Sequence, residues 1–474
     1  MMRRLVDLFL SLKLTVTLLV LSMVLIFAGT LAQVDKGIWT VMDQYFRCWI
    51  AWIEWSVFFP NSVSVPAVVL PFPGGFLLGS LLSLNLVAVH SSTFKVLVKG
   101  RRLWVGYGLL LLGLLITVGV VLGWGMAPVA ATENDAFWRV FFRLGRGTLA
   151  GAVLFAACWV LYKQRAGMVL LHAGILLLLV GEFFTAIFAV EATMTIREGE
   201  TATFFDRSQQ FELALTDTSD EEVDRVTTIP QSLLKPGKVV SVGALPFDLK
   251  VHARMTHSNR PVPLDSVSEG VREAYPTGAG YGERLYVARS REVSGATGER
   301  NAPAVDVELL DRRSGASLGR YLLSIWFYPN FVNQIWDMPT TVRYEGREYE
   351  LYFRNRREPA LSESGAPYAV TLLDFVHERY EGTQTPKDFS SEIRLVNEGD
   401  GIDRNLRIWM NNPLRYAKRT FYQSGYLPED EGTVLQVVRN DSWMIPYLSC
   451  MIVFIGMAAQ FGLSLKRMRK REAA

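Results

Sequence analysis

Two histidines carry the chemistry that this sequence most directly suggests. His172 stands four residues into a long apolar run, Leu170-Leu-His-Ala-Gly-Ile-Leu-Leu-Leu-Leu-Val-Gly-Glu182, and His90 closes another. Four helical residues rise about 6 Å, so His172 lies just inside one membrane face, with His90 at the same face. An ionisable side chain at membrane depth is costly and is a functional hypothesis by default. Neutral imidazole is also a common axial ligand of haem iron. Two histidines at one depth could bracket one iron, or each could pair with a histidine of another subunit. The plainer reading is an interfacial imidazole that hydrogen-bonds a backbone carbonyl or a lipid headgroup. The residues alone leave both open.

The other candidates are weaker. Glu182 reads as a second buried charge, mid-span, with no visible partner. Gly174 and Gly181 share one helical stripe, at 100° per residue roughly opposite His172, and read as a packing surface for a neighbouring helix. His252 and His257 read as solvated surface histidines. His377, in Asp374-Phe-Val-His-Glu-Arg379, reads as a strand residue beside ion-pairing neighbours. No GxSxG, HExxH, P-loop or GxGxxG element stands in a suitable context. Cys48, Cys158 and Cys450 lie far apart, without CxxC, CxxCH or zinc spacing, which argues against a thiol oxidoreductase, a c-type cytochrome and a zinc domain.

The elements that must position the histidines follow from composition. Of 474 residues, half are hydrophobic and only 20% charged, below the quarter usual in soluble domains. The apolar residues come in blocks of about twenty, the length that crosses a bilayer. Six segments qualify or nearly do: 14–31, 74–90, 103–126, 148–162, 168–190 and 443–465. The fourth, of fifteen residues, is the shortest, and Pro71-Phe-Pro-Gly-Gly75 should break the helix just before the second. The first is read as a retained span, because Thr30-Leu31-Ala32 is a poor cleavage site and the apolar core is long for a signal peptide.

Charge gives the orientation. Residues 191–442 hold 30 Lys and Arg against 38 Asp and Glu, and the remainder holds 19 against 8. A basic membrane part joined to an acidic soluble part argues for positive-inside topology and against nucleic-acid binding. Arg3 and Arg4, then Lys95 to Arg102, then Lys163 and Arg165, then Lys466 to Arg471, all fall on one side if six segments cross; Arg139, Arg143 and Arg146 argue the other way. The expected architecture is a membrane α-helical bundle of about six spans with a large exported antiparallel β-rich domain. Its parts are a transmembrane region at 1–190, the exported domain at 191–442, and a C-terminal span with a basic cytoplasmic tail at 443–474. The placement is a cytoplasmic (inner) membrane, with the domain on the extracytoplasmic side.

Within 191–442, short alternating runs such as Phe211-Glu-Leu-Ala-Leu-Thr216 and Ala304-Val-Asp-Val-Glu-Leu309 are punctuated by Gly, Asn and Asp clusters, Gly295-Ala-Thr-Gly298 among them. That pattern is antiparallel β. The polar, Gly-rich stretch from Thr256 to Gly298 reads as a long loop or a mobile insertion. One segment stands out: Arg407-Ile-Trp-Met-Asn-Asn-Pro-Leu-Arg-Tyr416, followed by Phe421-Tyr-Gln-Ser-Gly-Tyr426. It is either two strands joined by an Asn-Pro turn, or a surface on which Asn412, Pro413, Arg415 and Tyr416 dock a partner.

These residues carry a family resemblance. Pro386-Lys-Asp-Phe-Ser-Ser-Glu392, Met410-Asn-Asn-Pro-Leu-Arg-Tyr416 and Phe421-Tyr-Gln-Ser424 resemble the signature of the ResB (CcsB) family of system II cytochrome c biogenesis. His172-Ala-Gly at the start of a span, with Met194-Thr-Ile-Arg-Glu-Gly-Glu200 after it, resembles the family's junction into its exported domain. The Leu12-Lys13-Leu14 opening and the single C-terminal span fit as well. The resemblance implies a membrane subunit that pairs with a ResC (CcsA)-type protein, handles haem b and delivers it to apocytochrome c. It implies His172 as an axial ligand of the haem iron near the cytoplasmic face; His90 is a candidate from the residue reading alone. No self-contained catalytic site is implied. The tryptophan-rich haem-handling motif of the partner is absent, and Trp124-Gly-Met-Ala is no substitute. Two additional spans before the His172 span depart from the family pattern. A scaffold subunit that docks partner or apocytochrome without ligating haem is the alternative; a transporter for another anionic solute is weaker, because no paired broken helices are visible.

Overall fold

The computed structural model describes residues 7–60, 63, 65–123, 135–220, 222–273, 279–293, 301–327, 340–383 and 386–472. Arg3, Arg4, Trp124 and the Gly295–Gly298 turn lie outside the described residues. Among the described residues, six long helices form the membrane part: α1 (Leu12–Lys36), α2 (Gly75–Thr93), α3 (Arg101–Val121), α4 (Asp135–Tyr162), α5 (Ala166–Phe188) and α6 (Ile445–Glu472). The apolar stretch Leu144–Phe188, 45 residues long, would reach about 67 Å as one helix, twice a bilayer core. It folds back at Lys163–Arg165, where Lys163 takes a φ of 51°.

Close glycine contacts prove the reversal. Along α4, Gly147 faces Met451 and Gly151 faces Ile455 of α6, so these helices run parallel. Along α5, Gly167 faces Gln460, Gly174 faces Val453 and Gly181 faces Ile445, so α5 runs antiparallel to α6. The Gly174–Gly181 stripe is thus the packing surface expected of it, and Gly167 extends it by one heptad. Gly106 against Leu161 and Gly113 against Leu154 make α3 antiparallel to α4 in the same way. The bundle is held by close backbone approach rather than by apolar burial, as it must be in lipid.

Two helix limits differ from the hydropathy reading. α4 starts well before residue 148, because its first turns carry Arg139, Arg143 and Arg146, which depress a hydropathy window without breaking a helix. α6 continues through the basic tail to Glu472, since Lys and Arg are good helix formers. Tryptophans mark both ends of the bundle. Trp39, Trp49, Trp52 and Trp55 are exposed on the segment between α1 and α2, and Trp104 and Trp159 near the other end, where amphipathic rings settle at the two interfaces.

Residues 190–439 form the β-rich part. A long antiparallel sheet includes β1 (Val190–Arg197), β2 (Phe204–Asp217), β3 (Arg347–Pro359), β8 (Arg419–Tyr426) and β9 (Gly432–Arg439). Over one half lies a second sheet containing β4 (Ala369–Arg379), β5 (Pro386–Asn397) and β6 (Ile402–Trp409), with Met194, Phe205, Leu372, Ile393 and Phe421 packed between. Over the other half lies a sheet built on 247–255, 304–311 and 317–324, enclosing Leu213, Phe247, Val251, Val307 and Phe353. β7 (Leu414–Tyr416) pairs with β8 at the margin. Two sandwiches therefore share one sheet, and among the described residues every ladder is antiparallel apart from one isolated bridge. The described residues of 256–273 and 279–293 carry short elements: a two-stranded pair of Val262–Pro263 with Leu285–Tyr286, and 3-10 turns.

Burial raises the Asp206 carboxyl to about 6 from 3.8, with Arg357 and Arg354 beside it pulling the other way. Its native form then binds more protons than the unfolded chain between those pH values, so this group's contribution to stability falls as pH rises through the window and levels above it. The melting temperature of Asp206→Asn relative to wild type is expected to climb from pH 4 to pH 6 and then hold. A flat difference over that range would show that Asp206 is not raised.

Candidate functional site

α2 and α5 run antiparallel, with Phe76 against Phe183 at 5.0 Å near one end and His90 against His172 near the other. The two imidazole centroids are 4.3 Å apart at 49°. Each Nδ1 lies 2.8 Å from the carbonyl oxygen one turn back, His90 on Leu86 and His172 on Met168. A carbonyl can only accept, so each neutral ring carries its proton on Nδ1 and turns an Nε2 lone pair outward. Nε2 of His90 is buried with no hydrogen-bond partner. An orphaned buried acceptor is expensive, and a metal at that atom would satisfy it. A carbonyl that holds one ring nitrogen's proton in this way fixes the tautomer and leaves the other nitrogen free to bind a metal.

Both rings are of the type that ligates haem iron, so the donor set fits. With the ring centroids 4.3 Å apart, His90 and His172 would hold such a group together, or one ring would ligate it with the other as backing. Phe94 lies 4.9 Å below His90, and Arg165 donates to the Thr93 carbonyl at 3.1 Å, closing the site toward the basic end. Among the described residues no three His, Cys, Asp or Glu side chains gather into a metal cluster.

The remaining histidines lie elsewhere. His252 is half-buried on a strand, with Nε2 2.8 Å from Glu308. His257 is buried and accepts the Ala302 N–H at 2.9 Å. Neither is the solvated surface histidine expected, because the strands around Ala302 cover the loop that carries His257. His377 is almost fully buried, its Nδ1 2.7 Å from Asp430 and its ring 4.3 Å from Tyr426. Asp430 and Glu429 hold positive φ, so backbone strain brings this carboxylate to the ring; no local sequence signal marks that partnership, 53 residues away. Glu182 is exposed on α5 and stands six residues from its β-domain end, not mid-span.

The expected docking residues divide. Tyr416 is a core residue, 4% exposed, its hydroxyl 2.7 Å from Asn397 Nδ2 and its ring against Tyr368. It offers no surface to a partner, because β7 tucks its alternate side chains into the sandwich. Asn412 and Pro413 make the turn, with Asn412 N–H donating to the Trp409 carbonyl. Arg415 is half-buried and stacks on Trp443 at 3.5 Å, tying β7 to the segment that leads into α6.

Comparison with known proteins gives two matches. Residues 344–442, from β3 to the entry of α6, match the model of the ResB-like family. Over 111 residues, 22% of this chain, the sequence is 27% identical to Protein NrfI of Wolinella succinogenes. The aligned part covers 12% of that relative's own length. The matched region contains the motifs from Pro386 to Ser424 that carried the resemblance, and over these residues the chain is similar to the ResB-like family.

Proposed function

We propose that this chain is a membrane subunit for cytochrome c biogenesis that holds haem b at the basic end of its bundle and, with a ResC (CcsA)-type partner, presents it for covalent attachment to apocytochrome c. The observation that carries this reading is the His90–His172 pair, with both Nδ1 atoms tied back and a buried Nε2 left without a partner. When bound, haem would supply an iron that takes imidazole nitrogen as ligand. The chain's own part is to fix the tautomers, to keep water away with α2 and α5, and to lend one or two nitrogen ligands.

Position within the membrane supports the same reading. Lys95, Lys99, Arg101, Arg102, Lys163, Arg165, Lys466 and Arg467 all fall at the histidine end of the bundle, and the β-rich part at the other. By the positive-inside rule the histidines face the cytoplasm of the inner membrane and the β-rich part is exported. His172 lies sixteen residues, about 24 Å, from the β-domain end of α5, so the pair stands at the start of a path across the bilayer. Co-expression with a ResC-type partner and an apocytochrome c, in a host lacking its own maturation system, is expected to yield covalent haem only when this chain is present. A reporter fused at Thr256 should be active only outside. Cytoplasmic activity at Thr256 would overturn the orientation, and full maturation without the chain would overturn the role.

A further inference from the structure

At the basic end of the bundle, α3, the α4–α5 turn and α6 enclose a cavity of about 920 Å3. Arg101, Arg102, Lys163, Lys466 and Arg467 line it, and no carboxylate does. These cations come from three segments far apart in the chain. Arg467 donates to Gln164 Oε1 at 2.5 Å, which seats one guanidinium across the turn. The wall beneath is apolar, made by Val105, Trp159 and Leu463. The positive end of the α3 dipole points into the same region.

We propose that this cavity binds an anionic glycerophospholipid, with its phosphate among the five cations and its acyl chains along Trp159, Val105 and Leu463. Five like charges around one space repel unless a counter-charge sits among them. A free inorganic anion would answer the charge but leave the apolar wall and most of the volume unfilled; cavities of roughly 300–1,000 Å3 take whole organic ligands. Haem is also an amphiphilic anion, but the lining holds no histidine, cysteine or methionine to meet its iron. The cavity opens at the depth where Trp159 marks the interface, the level at which basic pockets between helices meet headgroups. A lipid seated there would brace the end of α6 against α3 and α4, next to the turn whose Arg165 closes the histidine site.

The test uses the full chain in nanodiscs of equal phosphatidylglycerol and phosphatidylcholine, released into native mass spectrometry. Wild type is expected to retain phosphatidylglycerol about tenfold or more over phosphatidylcholine. The variant Arg101→Gln/Arg102→Gln/Lys466→Gln/Arg467→Gln should lose that preference. Trp159→Ala, which keeps every charge and needs no refolding of the cluster, should retain less of either lipid. Equal retention of the two lipids by wild type would overturn the proposal. So would release of phosphatidylglycerol by millimolar inorganic phosphate, which would identify a simple anion site, or unchanged lipid retention in Trp159→Ala.

Discussion

His172→Ala is expected to lower covalent cytochrome c formation by about tenfold or more, the loss that follows even from disturbing a metal ligand's surroundings, while leaving the chain in the membrane. The change removes one imidazole from a pair whose centroids are 4.3 Å apart and leaves a gap of that shape beside His90. Free imidazole fits such a gap and can supply the missing nitrogen, so added imidazole is expected to restore part of the yield. The closeness of the rings predicts that His90→Ala behaves alike and responds to imidazole as well. If the two variants diverge, with only His172→Ala impaired, a single ring ligates and His90 serves as its backing. If neither variant loses maturation, the subunit is a scaffold whose haem ligands lie on other chains.

The second large effect is expected at Gly167. A Cβ there would lie 2.7 Å from Gln460 N and from the Gly456 carbonyl oxygen. Both are backbone atoms of α6, which cannot swing aside as a side-chain tip can. Gly167→Leu must therefore push α5 and α6 apart along the whole glycine stripe, an overpacking cost of about 1–3 kcal/mol or more, and the chain is expected to fall several-fold in membrane abundance. Gly79 and Gly108 have nothing within 4 Å of a built Cβ, and alanine at either should be harmless. Imidazole should not rescue Gly167→Leu, because no ligand-shaped gap is made. Rescue there would mean that the helix contact acts only through His172.

Much of this was legible in the sequence, and the reasons differ by element. Spans of near-uniform apolar residues announce themselves, since lipid forbids unsatisfied backbone. The alternation of β-strands follows from a fixed period. The true lengths of α4 and α6 were hidden, because hydropathy marks where lipid is and not where a helix ends. Glu182 and His257 were misplaced for one reason: exposure depends on which face a distant element covers. Tyr416 looked like a docking aromatic until its neighbours Asn397 and Tyr368 closed over it. The 4.3 Å meeting of the two rings required α2 and α5 to be neighbours, and the two intervening helices gave no warning of that.

The most direct measurement is the absorption spectrum of the full chain loaded with haem in nanodiscs, recorded for wild type, His172→Ala and His90→Ala. Ligation by the pair predicts a sharp Soret band in wild type, its loss or shift in both variants, and its return on adding imidazole. An identical Soret band in all three proteins would contradict ligation by these histidines.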